Sequence, residues 1–329
     1  MRKSLALLSI MGTLALGGAA AGQGKPPVDR NVLHVQVILD HLGFSPGILD
    51  GREGQSLTAA LKAFQQTRGL DETGRIDPPT LRALNPYHSW RPTKSLRLSA
   101  AVLQGPFAPI PRDAAEQSKL PLLGYASPEE KLAEMFHTTP EVLASLNPGA
   151  KLVAGARMVF PNALPTSRAY PADLKPQWRA TLSDLNVTAN VPQADHIVVD
   201  ESDGVLRVFD AANTLVAQFS ATMGSEHDPL PIGTWKIVSV DTNPKFRFNP
   251  DLFWDAKASD REVMLPPGPN GPVGVVWFGL DKPHYGIHGT PEPQLIGRTE
   301  SHGCIRLTNW DAARLALMVR TGTPAIFQE

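Results

Sequence analysis

The chain has 329 residues and a mass of 35.5 kDa, enough for two or three domains with separate cores. Its 31 Lys and Arg against 32 Asp and Glu give a formal net charge of -1, which excludes the basic footprint of a nucleic-acid-binding protein. Hydrophobic residues at 42% and charged residues at 19% are the balance of a folded chain rather than a disordered one, and 31 prolines with 27 glycines point to long connections and turn-rich β structure.

Met1-Arg2-Lys3 is a basic start, Ser4 to Leu16 an apolar run, and Ala19-Ala20-Ala21 a small-residue cleavage pattern. Residues 1–21 are therefore expected to be a signal peptide cut after Ala21. The apolar run is shorter than the roughly 20 residues that cross a bilayer, so no stable membrane span is expected after cleavage. No cysteine lies near the cut to carry a lipid. The expectation is an exported protein, and without a wall-sorting signal or long repeats its expected compartment is the periplasm. Export restricts the meaning of Cys304, the single cysteine. It has no partner for an intramolecular disulfide, so the thiol is intermolecular, buried and inert, or reactive.

From Asn31, Val32, Val35, Ile38, Leu39 and Leu42 recur at helical steps until Gly43 and Pro46. A glycine-rich loop over 47–54 precedes a second helix from Ser56 or Leu57, which carries Leu61 and Phe64 and ends at Gly69. Asp77 should cap a third helix, Pro78 to Leu84. Residues 87–118 read as a linker with a short strand at 96–103 as one option. Ser127 and Thr139 each open a short helix, Asn147-Pro148 ends the second, and Leu152 to Pro161 reads as a turn and a closing strand. Residues 163–193 read as a further linker with a helical stretch from Pro171 to Leu185. From His196 the pattern becomes β: strands at 196–200, 205–209, 214–219, 234–240, 275–280, around Ile287 and at 325–327, with a helix near Asn309 to Arg320.

The three-helix unit, residues 31–86, resembles the peptidoglycan-binding domain found beside cell-wall enzymes. The resemblance is carried by Gln36, Leu39, Leu42-Gly43, Pro46-Gly47, Asp50-Gly51 with Gly54, Ala60, Phe64-Gln65, Gly69-Leu70, Thr73-Gly74 and Thr80 to Leu84. Residues 119–162 resemble a degenerate LysM module, a β-α-α-β glycan-binding unit, through Leu146-Asn147-Pro148 and Gly155 to Pro161. The opening strand and its turn are missing from that match, with Leu122 to Ala126 in their place.

The remaining stretch, 194–329, holds Ile287-His288-Gly289-Thr290 and Ser301-His302-Gly303-Cys304-Ile305-Arg306-Leu307. With Pro231 to Ile237 and Pro266 to Gly274, these motifs resemble the YkuD-type L,D-transpeptidase catalytic domain. The implied whole is multidomain: a small all-α peptidoglycan-binding domain, a small α+β LysM-like module, and a mainly β catalytic domain, β-sandwich-like with a C-terminal helix. A cysteine beside a histidine is also a plausible nucleophile on its own chemistry, because a neighbouring base raises its thiolate fraction.

The resemblance implies an acyltransferase that attacks peptidoglycan tetrapeptide stems through a Cys304 thioester, releases D-Ala, and forms 3→3 crosslinks or attaches a wall lipoprotein. His288 would take the thiol proton, the Gly289 carbonyl would orient the imidazole, and the 302–304 backbone would receive the oxyanion. His302 would serve as a catalytic or loop-shaping residue and Gly303 would allow close approach. Ser301, Arg306 and Tyr285 are the expected substrate contacts. No cofactor or metal is implied, although His284, His288, His302 and Cys304 have spacings that zinc could use. A same-fold L,D-carboxypeptidase or crosslink amide hydrolase and a non-catalytic wall-binding protein stay open as alternatives.

Overall fold

The computed structural model describes residues 27–252, 259 and 261–329. The signal-peptide reading of residues 1–21 lies outside the described residues. Helix α1, Arg30–Leu42, starts where the Asp29 carboxylate accepts the Asn31 and Val32 amides, and stops at Gly43, whose φ of 91° is the left-handed turn a glycine makes without strain. Helices α2, Gln55–Thr67, and α3, Pro78–Leu84, complete the first unit, with Asp77 capping α3 at the Thr80 amide. Val35, Ile38, Leu39, Leu61 and Phe64 close its core.

The second unit pairs strand β1, Thr93–Arg97, antiparallel with β2, Arg157–Pro161. Between them lie α4, Ala114–Gln117, α5, Pro128–Met135, and α6, Pro140–Leu146. Ser127 and Thr139 cap α5 and α6. Phe136 stacks on Phe160 at 4.2 Å between ring centroids, in a core with Leu98, Leu132, Leu143 and Met158. The opening strand expected to be missing is β1, which overlaps the start of the optional strand at 96–103. It lies inside the stretch 87–118 that reads as a linker, and its side chains are too exposed to give a strong period-2 signal.

Residues 163–193 are more than a linker. Helix α7, Pro176–Asp184, buries Trp178 and Leu182, and with Tyr170, Leu185 and Val187 it joins the core of the third unit rather than linking to it. That unit contains β3, His196–Asp200, β4, Val205–Phe209, β5, Leu215–Ser220, β6, Gly233–Thr242, and the β7, Phe246–Phe248, with β8, Val263–Leu265, pair. Strands β9, Val276–Leu280, β10, Gly286–His288, and β11, Ile305–Arg306, follow, then helix α8, Asn309–Met318, and β12, Pro324–Gln328. One curled eight-stranded sheet runs in the order β11-β10-β9-β6-β12-β3-β4-β5, and β7 and β8 form a separate hairpin. The mainly β domain with a C-terminal helix is thus present. Phe219, Phe278, Trp310, Leu315 and Phe327 are among its fully enclosed side chains.

The first unit covers the edge of this sheet. Gln218 of β5 exchanges backbone hydrogen bonds with Gly43 and Ser45, and its side-chain amide donates to Ala59 O at 2.9 Å. An exposed strand edge is thereby satisfied. Helix α8 meets both other units. The Arg314 guanidinium donates to the Asp40 carbonyl at 2.9 Å and to its carboxylate at 3.1 Å. His137, after α5, bridges Asp40 Oδ2 at 3.1 Å and Leu185 O at 2.8 Å, and its ring stacks on Trp310. Burial opposes ionisation of Asp40, but Arg314 and His137 outweigh it and hold its carboxyl well below the usual carboxylate range. Ser45 and Thr308 both donate to Asp311 at 2.8 Å. Among the described residues, no helix is long and apolar enough to cross a membrane.

Removing one member of a buried ion pair leaves the other charge without compensation. Arg314→Ala should therefore lower unfolding free energy by about 3–5 kcal/mol. Denaturant titration of the full chain measures this, and a loss below about 1 kcal/mol would show that the pair contributes no more than a surface one.

Candidate active site

Strands β10 and β11 are parallel, with Ile287 opposite Ile305 and His288 opposite Arg306. Both isoleucines are fully buried in the core, so the alternating residues His288 and Arg306 face the other side of the sheet. Cys304 precedes Arg306 by two residues and returns to that same face. On the other flank β9 places Trp277 opposite His288 and Gly279 opposite Gly286. The Trp277 ring stacks on the His288 ring at 5.6 Å. A Cβ at Gly286 would lie 2.4 Å from the Trp277 ring, so a glycine is required for the indole to lie across β10.

Trp277, Tyr285, His288, His302, Cys304 and Arg306 line one cleft of about 350 Å³, with His284 and Asp228 beside them and Phe246 and Arg247 reaching in from the β7–β8 hairpin. Five of the predicted residues are thus brought together: Cys304, His288, His302, Tyr285 and Arg306. Gly303 has a φ of 86°, and the Tyr285 ring packs where its Cβ would be, 2.6 Å from Cε1. Ser301, expected to contact substrate, is corrected by its surroundings. It is buried, its hydroxyl donates to Cys304 O at 2.7 Å and its amide to Gly224 O at 2.9 Å. It closes the loop that presents the thiol and does not line the cleft.

Nδ1 of His288 lies 2.6 Å from Gly289 O. A carbonyl only accepts, so Nδ1 carries the proton and Nε2 is left as the acceptor. Burial pushes the His288 pKa down to about 4, with the Gly289 carbonyl opposing and Arg306 reinforcing that shift. Burial also pushes the Cys304 thiol up, against the Gly286 amide and Arg306, and Asp228 adds to the rise. The pair therefore rests as thiol and neutral imidazole at neutral pH. That departs from the raised thiolate fraction expected from a cysteine next to a histidine, because the ring is buried and the half-buried thiol gains too little from its neighbours to ionise before a substrate arrives. Such a pair can still deliver a thiolate at the moment of attack, with Nε2 receiving the proton.

Four contributors lie outside the motifs that the sequence shows. Phe246 and Arg247 arrive from a hairpin too short for a periodicity signal. Asp228 sits in the loop between β5 and β6, where no periodicity marks it. Asn309 reads as an ordinary helix start, yet its Oδ1 lies only 2.2 Å from where a Cβ on Gly289 would stand. Among the described residues no group of three or more His, Cys, Asp or Glu is arranged to hold a metal ion.

A thiol that shares its cleft with a histidine whose Nδ1 is held by a backbone carbonyl can act as a nucleophile, with Nε2 as its base. Residues 194–327 match the YkuD family, the L,D-transpeptidase catalytic domain, and residues 29–84 match the "Putative peptidoglycan binding domain". The third unit belongs to the YkuD L,D-transpeptidase catalytic family, preceded by an N-terminal peptidoglycan-binding domain. "Putative L,D-transpeptidase YkuD" of Bacillus licheniformis is 53% identical over 61 residues, 18% of this chain and 37% of that protein. "Putative L,D-transpeptidase YqjB" of Bacillus subtilis is 24% identical over 144 residues, 42% of this chain and 74% of that protein. The match thus spans 37% and 34% of the lengths of the two YkuD proteins it reaches. Among solved structures, an L,D-transpeptidase from Xylanimonas cellulosilytica aligns over 92% of this chain and 97% of that one, at 14% identity and a TM-score of 0.37.

Because the free-enzyme base is neutral down to about pH 4, the acid limb of kcat/KM should fall near pH 4 and not near the 6.5 of a solvated histidine. A pH–rate profile of thiol acylation reads this directly; an acid limb at 6.5 would mean that His288 is solvated in the working enzyme. Gly289→Ala keeps the carbonyl that His288 uses, but its methyl would meet Asn309. The expected outcome is acylation slowed by about tenfold or more, measured by the same assay, and an unchanged rate would show that the Asn309 contact yields freely.

Proposed function

We propose that the protein is an exported, cysteine-dependent L,D-transpeptidase acting on peptidoglycan. The observation that carries this reading is the shared cleft of Cys304 and His288, with the imidazole already turned by Gly289 O so that Nε2 is open. In the proposed first half-reaction, Cys304 attacks the carbonyl at the L-centre of the third residue of a tetrapeptide stem and Nε2 of His288 takes the thiol proton. Backbone amides of the 302–304 turn receive the tetrahedral oxyanion, a placement that Gly303 favours through its left-handed φ. Collapse breaks the peptide bond. The terminal D-Ala leaves as the free amine, taking the proton back from His288, and a thioester stays on Cys304.

In the second half-reaction an amine attacks the thioester, His288 accepts its proton, and the thiol is regenerated. A second stem as acceptor gives a 3→3 crosslink; a lysine of a wall-attached lipoprotein gives an anchored protein. Arg306 and Tyr285 on the cleft wall suit the stem carboxylate and its peptide face. The residues need no cofactor or metal for this chemistry. The peptidoglycan-binding domain, and the second unit read as a degenerate LysM-like module, hold the polymer near the cleft and raise the effective concentration of stems. Substrates of this kind place the working protein outside the cytoplasm, and the periplasm is the compartment proposed.

Incubation of the full chain with purified tetrapeptide muropeptides, with and without an added amine, tests the reading by mass spectrometry. Free D-Ala together with 3→3 dimers or amine adducts, all lost in Cys304→Ala, is the expected result. Release of D-Ala with water as the only acceptor would replace transfer by L,D-carboxypeptidase activity. Unchanged muropeptides would contradict an enzymatic role.

A further inference from the structure

One line of buried polar contacts runs from the second unit into the catalytic site. Asn309, the first residue of α8, is fully buried. Its Oδ1 accepts from the Val275 amide at 3.1 Å, and its Nδ2 donates to Pro269 O at 3.0 Å and to Glu134 Oε1 at 2.8 Å. Two glycine backbones press against this amide. A Cβ on Gly274 would stand 1.9 Å from Oδ1 and one on Gly289 2.2 Å from it. Gly289 in turn supplies the carbonyl that His288 Nδ1 binds. The far end of the line, Glu134, belongs to α5 and is itself buried.

A carboxyl is a poor choice for this place if packing were its whole purpose. Burial pushes the Glu134 carboxyl up to about 7, opposed by the nearby Tyr125 hydroxyl and by the Asn309 amide that donates to Oε1, while Oε2 has no protein partner. Taking such a group out of water is unfavourable, and an apolar side chain of similar volume would fill the space as well or better. What a carboxyl does and a hydrocarbon cannot is give Nδ2 a second acceptor beside Pro269 O, which tightens the Asn309 amide in the orientation that Val275 and Pro269 select. With an acceptor at Glu134, Nδ2 faces α5 and Oδ1 faces Val275 and the glycines. Turned over, the amide would set its N–H₂ against the Val275 N–H, donor against donor.

We propose that Glu134 is a positioning residue for His288: by fixing the Asn309 amide it seats Gly289, whose carbonyl holds the imidazole, so the second unit completes the active site carried by the third. The inference rests on the reading of Cys304 and His288 as the reacting pair. It assigns α5 a role in the chemistry that binding of glycan by its unit would not require, and it makes Glu134 a residue whose loss is felt at the base without contact with substrate.

The experiment compares full-length wild type, Glu134→Met and Glu134→Gln for the rate of Cys304 acylation by imipenem, followed by intact mass across pH. Met matches the length and unbranched shape of Glu and relieves the buried carboxyl, so the chain should keep its fold by circular dichroism and melting. Its acylation should nevertheless slow by about tenfold or more. The acid limb should move up from about 4 toward 6.5, because burial is the largest cause holding the His288 pKa down and a loosened imidazole reaches water. Gln keeps an acceptor for Asn309 and should restore the rate to within about threefold, with the limb in place. A Met variant that acylates at the wild-type rate with the wild-type limb would overturn the proposal, as would a Gln variant as slow as Met. A Met variant that fails to fold would overturn it as well, since Glu134 would then be a structural requirement. Wild type that takes no adduct would bring down the reading of the reacting pair itself, an outcome distinct from the others.

Discussion

The Asp40–Arg314 pair, sealed from water between α1 and α8, is the contact on which the rest of the arrangement depends. Both side chains are buried, and a charge so placed is tolerated only because the other faces it. His137 joins from the second unit and lies flat against Trp310. Three units separated widely in sequence thus meet on one helix of ten residues, Asn309–Met318. Their attachment is specific because misdocking would strand buried charge, whereas apolar surfaces alone would tolerate sliding.

The same helix sets the catalytic geometry at its other end. Asp311 and Thr308 fix its first turn, and Asn309 stands against Gly289 behind His288. The reacting face is then a consequence of register. Parallel pairing of β10 with β11 puts two isoleucines into the core and their neighbours into the cleft. A slip of one residue would exchange the two sets. Burial holds the imidazole neutral and raises the half-buried thiol, so the fold supplies geometry and an oriented acceptor and leaves charge to develop with substrate.

Much of this was legible in the sequence where local rules dominate. The helix starts at Asp77, Ser127 and Thr139, the stop at Gly43 and the strands over 196–200 and 205–209 all follow from caps, glycine and alternation. Of the residues lining the cleft, His288, His302, Cys304 and Arg306 were readable from their motifs. What was not legible is long-range. Strand β1 is half exposed and recognisable only by its partner 157–161. Helix α7 resembled a linker because its apolar residues are few, and only the core that receives Trp178 gives them meaning. Ser301 looked like a substrate contact from its place in the motif, yet its hydroxyl turns inward to Cys304 O. Glu134 and Asn309 carry no sequence sign of their partnership across 175 positions.

The central claim is that the three units form one cooperative structure centred on α8, with the site as a part of it. Native-state hydrogen exchange of the full chain, read by mass spectrometry, tests this most directly. The account predicts that the amides of α1, α5, α8 and β10 exchange through a common opening with one free energy and one denaturant dependence. Early, independent exchange of α1 and α5 while α8 and β10 stay protected would contradict it.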